Sequence, residues 1–203
     1  MTTRTTFLSA AKAFAELVHV IPESAWDGPG LGEWDLRALV GHASRSLTTV
    51  STYLRTPAEQ EDVTSAADYY ARIRDYASSA GSAAIVERGR QAGRDLGERP
   101  AVAVDALLDR VVADLAEVDD PLIEVIGGLG IRLENYLPTR VFELAVHGLD
   151  IIGAAGLDAA MPDEVVTEAT TLAAQIAASS GAGAPVLLAL TGRTGLPAGF
   201  SVV

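Results

Sequence analysis

The chain has 203 residues, 49% of them apolar, and a formal charge of -12. That length suits one domain with at most a small appendage, and the charge would repel nucleic acid and anionic membranes alike. Cysteine is absent, which excludes disulfides, a cysteine nucleophile and a thiolate zinc site, so thiol chemistry here needs a thiol supplied by a cofactor.

Alanine is abundant and aromatic residues make up only 5%, so a mainly α fold with closely spaced helices is expected. The opening stretch, MTTRTTFLSAAKAFAEL, is interrupted by Lys12 and Glu16. It has no long apolar centre, and no signal peptide is expected. No window of roughly 20 residues is free of polar breaks. The expectation is a soluble, cytoplasmic protein.

Thr5 to Ile21 reads as the first helix, with Phe7, Leu8, Ala11, Phe14, Ala15 and Val18 on its buried face and Pro22 as its stop. His19, near its end, is expected to be solvated and favoured by the helix dipole. The loop PESAWDGPGLGE (22–33) follows, flanked by Trp26 and Trp34. Both indoles are expected to pin the loop to the bundle; Trp26 is also a candidate for ligand contact. Asp35 to Arg55 is the second helix. Leu36, Leu39, Val40, Ala43, Leu47, Val50 and Leu54 step along it close to a heptad seam, and His42 sits beside that seam.

Residues 63–96 read as two shorter helices divided near Ser78 to Ser82. Tyr69, Tyr70, Ile73 and Tyr76 share an apolar-aromatic face, and Arg88, Arg90 and Arg94 are expected on a solvated one. Pro100 suits the first turn of a helix reaching Val118. LIEVIGGLGIRL (122–133) places β-branched residues on both sides of Gly127-Gly128 and reads as a hairpin.

In YLPTRVFELAVHGLDII (136–152), Pro138 is expected to open a helix. Val141, Leu144, Gly148 and Ile151 form its core face, and Arg140, Glu143, His147 and Asp150 form a stripe beside it. Pro162 to Ser180 is a further helix. Val186 to Thr191 and Phe200 to Val203 read as short strands that pair with the 122–133 hairpin. The expected division is a helical bundle over 1–157 and, over 158–203, an appendage of a short helix and a β-hairpin.

The chain has three histidines. Two of them, His42 and His147, lie beside apolar seams on long helices. Glu143 and His147 are four apart, so a helix stacks their side chains. If the two helices are neighbours, His42, Glu143 and His147 converge as a metal site of the kind built in bundle cores. Two imidazoles and a carboxylate suit zinc with one position left open, and they also suit Fe(II), Ni(II) or Mn(II).

LGEWDLRALVGHASR (31–45) and IRLENYLPTRVFELAVHGLDI (131–151) resemble the two signature stretches of the mycothiol-dependent maleylpyruvate isomerase family, which belongs to the DinB-like metal-binding four-helix bundles. LLALTGRTGLPAGFSV (187–202) is similar to the end of many such proteins. The resemblance implies a DinB-like four-helix bundle with extra helices and a small C-terminal β element. It implies His42, Glu143 and His147 as ligands of a divalent metal, most simply zinc, and mycothiol as thiol cosubstrate. Asp150, in the family's His-Gly-x-Asp pattern, becomes a catalytic candidate that orients a ligand or contacts the thiol. Isomerases of the family carry a larger C-terminal domain that contributes an active-site arginine. Arg193 is the nearest counterpart here and, with Trp26, a candidate cofactor contact.

The expected function is a metal- and mycothiol-dependent thiol transferase or isomerase acting on a small electrophilic substrate. Two alternatives are a metal-dependent hydrolase or lyase on the same site, and a non-catalytic bundle that binds a small molecule or forms a homodimer.

Overall fold

A computed structural model describes residues 2–80 and 82–203, the side chains of 75–80 and 82 excepted. Helix α1 (Thr3–Val20) begins where the Thr2 hydroxyl accepts the Thr5 N–H at 3.2 Å. Helix α2 (Leu36–Tyr53) begins where the Asp35 carboxylate accepts the Ala38 N–H at 2.7 Å. Each side chain satisfies one donor of an open first turn. Next come α3 (Ala66–Ala80), α4 (Ser82–Asp95) and α5 (Pro100–Ala116), with Pro100 in the first turn of α5. Strands β1 (Leu122–Val125) and β2 (Leu129–Arg132) lead into α6 (Leu133–Ala155), and α7 (Asp163–Ser179) and α8 (Gly183–Leu190) follow.

The four long helices α1, α2, α5 and α6 form a ring in which α1 and α2 each pack on both α5 and α6. Their apolar stripes meet inside it, where Phe7, Phe14, Leu39, Leu47, Leu137 and Leu144 are fully buried. Helix α4 lies on α2, while α3 and α7 lie on α6. Val165, Leu172 and Ile176 of α7 belong to the same apolar core.

The contact between α2 and α4 is made by backbone. A Cβ on Gly41 would fall 2.1 Å from the Gly93 nitrogen, and one on Gly93 would fall 2.7 Å from the Arg37 carbonyl oxygen. Neither helix could approach so closely with a larger residue at these positions. One turn before Gly93, the Trp34 ring fills the space of the missing Gly89 side chain, which would meet it at 2.5 Å.

The hairpin forms as the sequence implies, with Leu122 opposite Arg132 and Val125 opposite Leu129. Gly127 and Gly128 make its turn at φ of 81° and 72°. The segment after α2 straps across it: the Ala58 N–H donates to the Leu122 carbonyl at 3.2 Å and the Val63 N–H to the Gly130 carbonyl at 3.0 Å.

Two expectations change. Helix α6 starts at Leu133, five residues before Pro138. The Leu133 N–H donates to the Pro121 carbonyl and the Glu134 N–H to the Asp120 carboxylate, so the approach to the hairpin supplies the first-turn partners and the proline falls inside the helix. The strands expected at 186–191 and 200–203 do not form, and among the described residues the sheet consists of β1 and β2. Residues 183–190 are helix α8 instead. An apolar run of this length has no periodicity that separates strand from helix. Here Gly181, at φ 85°, turns the chain back after α7, and Pro185 in a first turn with Leu and Ala after it favours helix. The side chain of Tyr76 lies outside the described residues. Among the described residues no helix is long and apolar enough to cross a membrane.

Candidate metal centre

His42 follows Gly41 on α2, so the close approach of α4 fixes the turn that carries it. Its ring is covered by Trp34, with ring centroids 4.5 Å apart. The Trp34 indole is itself held by donating to the Val86 carbonyl at 2.9 Å. His42 also meets His147 in an edge-to-face contact, 4.9 Å between centroids. Glu143 and His147 occupy successive turns of α6, with Glu143 Oε2 at 3.4 Å from His147 Nε2. One ligand atom from each of His42, Glu143 and His147 lies within 4.8 Å of the other two.

Two of the three ligands are oriented by another group. Asp150 Oδ2 lies 3.1 Å from His147 Nδ1, which leaves Nε2 facing the centre. The Tyr70 hydroxyl donates to Glu143 Oε1 at 2.8 Å. These are the outer hydrogen bonds that fix tautomer and direction at metal centres.

The charges are set by the same contacts. Burial and the neighbouring His147 lower the pKa of His42 to about 4. Burial would also lower His147, but hydrogen bonding to Asp150 and Glu143 outweighs it and pushes the imidazole up to about 9. Burial would raise Glu143, yet His147, Arg140 and Tyr70 together hold it down at about 2. Tyr70 is raised well above its ordinary value, by burial first and then by Glu143. At neutral pH the cluster therefore holds a neutral His42, a carboxylate, and a proton on His147.

The donor set fits a divalent ion. His42 Nδ1 is buried with no hydrogen-bond partner, an omission that is costly unless something else satisfies the ring. Two ligand atoms about 2.1 Å from a tetrahedral zinc lie about 3.4 Å apart, which matches the His147–Glu143 separation. Three protein ligands leave a fourth position open, as in catalytic rather than structural zinc sites.

Beside the cluster lies a cavity of about 380 Å³, lined by Tyr53, Tyr69, Tyr70 and Tyr136 and by Arg45, Arg74, Arg88 and Arg140, with Glu143 as its acidic group. The Arg140 guanidinium sits 4.9 Å from the Tyr136 ring centre and 5.9 Å from that of Tyr69. The tyrosines and Glu143 hold its pKa above the ordinary value although burial opposes this. Among the described residues neither Arg45 nor Arg140 forms an ion pair with a carboxylate.

The structure thus brings together His42, Glu143, His147 and Asp150. It does not bring Trp26 or Arg193 to them. Trp26 lies in the 22–33 loop with the Arg37 guanidinium 5.3 Å above its ring, and it does not line the cavity. Arg193, exposed in the turn after α8, donates to the Thr191 carbonyl at 2.8 Å and does not line it either. Arg45 and Tyr70 were not evident from the sequence as site residues. Arg45 is three positions after His42 and could have been found from that spacing. Tyr70 meets a carboxylate 73 positions away, for which no local pattern exists.

No curated protein matches the chain, and no solved structure does. The family model of the mycothiol maleylpyruvate isomerase N-terminal domain matches residues 7–152, from α1 through Glu143 and His147 in α6. With its helical bundle and its His-His-Glu cluster, the chain belongs to the mycothiol maleylpyruvate isomerase N-terminal domain family.

Proposed function

We propose that this protein is an enzyme that holds a divalent metal, zinc in the simplest case, at His42, Glu143 and His147. In this reading it works with mycothiol as an isomerase or thiol transferase on a small electrophilic substrate. The convergence of the three ligands beside the arginine-lined cavity carries the reading. Family membership supports mycothiol as the thiol, and the absence of cysteine agrees with a borrowed one.

When bound, such an ion would lower the pKa of a thiol or water in its open position and so supply a nucleophile at neutral pH. The chain's own residues do the rest. Asp150 holds the His147 ring by Nδ1. Trp34 packs against the His42 ring. The four tyrosines wall the cavity and limit water inside it. Arg45 and Arg140, free of carboxylate partners among the described residues, favour a substrate that carries an anionic group.

The test is metal content followed by turnover. Purified protein should bind one equivalent of zinc, and His147→Ala and His42→Ala should each lose it. Consumption of an electrophilic substrate, with maleylpyruvate tried first, should require mycothiol. Wild-type protein that stays folded yet takes up no zinc would overturn the enzyme reading in favour of a non-catalytic binder. Zinc-dependent turnover that is unchanged without mycothiol would replace it with a hydrolase or lyase.

A further inference from the structure

Tyr70 belongs to α3, outside the ring of four helices, yet its hydroxyl reaches one oxygen of a candidate metal ligand. We propose that Tyr70 is a positioning residue that restricts Glu143 to ligation through a single oxygen and thereby keeps a coordination position open. This rests on the metal reading above.

The two oxygens of Glu143 have different neighbours. Oε1 accepts from the Tyr70 hydroxyl at 2.8 Å. Oε2 faces His147 Nε2 at 3.4 Å. A carboxylate left to itself can chelate a cation through both oxygens, and with two imidazoles that would give four protein donors. Turning Oε1 toward the ion would break a hydrogen bond to a charged acceptor, the strong kind. It would also leave the buried phenol with only the Thr139 carbonyl, at 3.3 Å.

The phenol has no easy way to follow. Tyr70 is 6% exposed. Its ring packs edge-on against Tyr69 at 5.7 Å and Phe142 at 5.4 Å. Phe142 precedes Glu143 in the same helix, so the ring and the carboxylate are carried on one rigid contact between α3 and α6. Tyr70 also walls the cavity, but its hydroxyl is committed to Glu143, so its effect on ligation is exerted through that carboxylate.

The experiment replaces the hydroxyl alone. In full-length Tyr70→Phe, zinc is expected to bind at least about tenfold more weakly, as when other orienting partners of metal ligands are removed. The visible spectrum of the cobalt-loaded variant should change from that of a four-coordinate ion toward the weaker absorption of higher coordination. Circular dichroism checks that the helices remain. A cobalt spectrum identical to wild type would overturn the proposal.

A second measurement needs no variant. In the infrared difference between zinc-loaded and zinc-free wild type, the glutamate carboxylate stretches should be widely split, as for one-oxygen ligation. The narrow splitting of a chelating carboxylate would overturn the proposal while leaving the metal site intact. Wild-type protein that binds neither zinc nor cobalt would overturn the metal reading and this inference together.

Discussion

His147 carries the proton that a metal has to displace. With Asp150 and Glu143 raising it to about 9, the imidazole is charged at neutral pH, whereas His42, at about 4, and Glu143, at about 2, are already in their ligating forms. Metal binding and protonation compete for Nε2. Zinc affinity should therefore climb about tenfold per pH unit as pH rises toward 9 and level off above it. Close to one proton should be released per zinc bound between pH 7 and 8. Calorimetry in buffers of different ionisation heat measures that number, and a value near zero would mean that His147 is not the protonated group. This cluster was largely legible in the sequence. Helical spacing puts Glu143, His147 and Asp150 on one stripe, the α2 seam places His42 beside its core face, and the family resemblance matches His42, Glu143 and His147 to ligand positions. Tyr70 was not legible because its partner is chosen by how α3 packs on α6, and sequence periodicity carries no information about that choice.

Helix α2 presents His42 correctly only if α4 can lie against it backbone to backbone. Gly93→Ala puts a methyl group 2.7 Å from the Arg37 carbonyl, so the two helices must separate. A stability loss of about 1–3 kcal/mol is expected from such overpacking, measured by urea unfolding, together with weaker zinc binding as His42 shifts. Gly153→Ala is the matched control. Its methyl would meet nothing within 4 Å, so replacing a glycine near the end of α6 should leave stability unchanged or raise it by up to about 1 kcal/mol. A Gly93→Ala protein as stable as Gly153→Ala would show that the contact can relax. Most elements were readable from their apolar stripes and stops. Helix α6 starts before the expected Pro138 because Asp120 and Pro121, which are distant from Pro138 in sequence, supply its first-turn partners. Helix α8 differs from the expected strand because an eight-residue apolar segment offers no second turn of polar residues to reveal its period.

At the scale of the whole molecule, the arrangement of α1, α2, α5 and α6 around a common core could not be deduced from stripe positions, which say which face is buried but not which helix covers it. The resemblance of residues 31–45 and 131–151 implies a four-helix bundle, and the pairing of its helices comes from the structure alone. Charge behaves differently with distance from the site. The chain as a whole carries -12, whereas four arginines face one cavity. An anion approaching from afar meets repulsion first and attraction only within the last Debye length, about 8–10 Å in ordinary buffer. Added salt should therefore speed its capture in rapid mixing while hastening its escape, the reverse of the usual steering of a ligand toward an oppositely charged protein. An association rate that fell steadily with ionic strength would mean that the arginines project their influence past the acidic exterior. If capture does quicken, the surface acts as a kinetic filter, slowing dilute anions at the threshold of a chamber built to retain them.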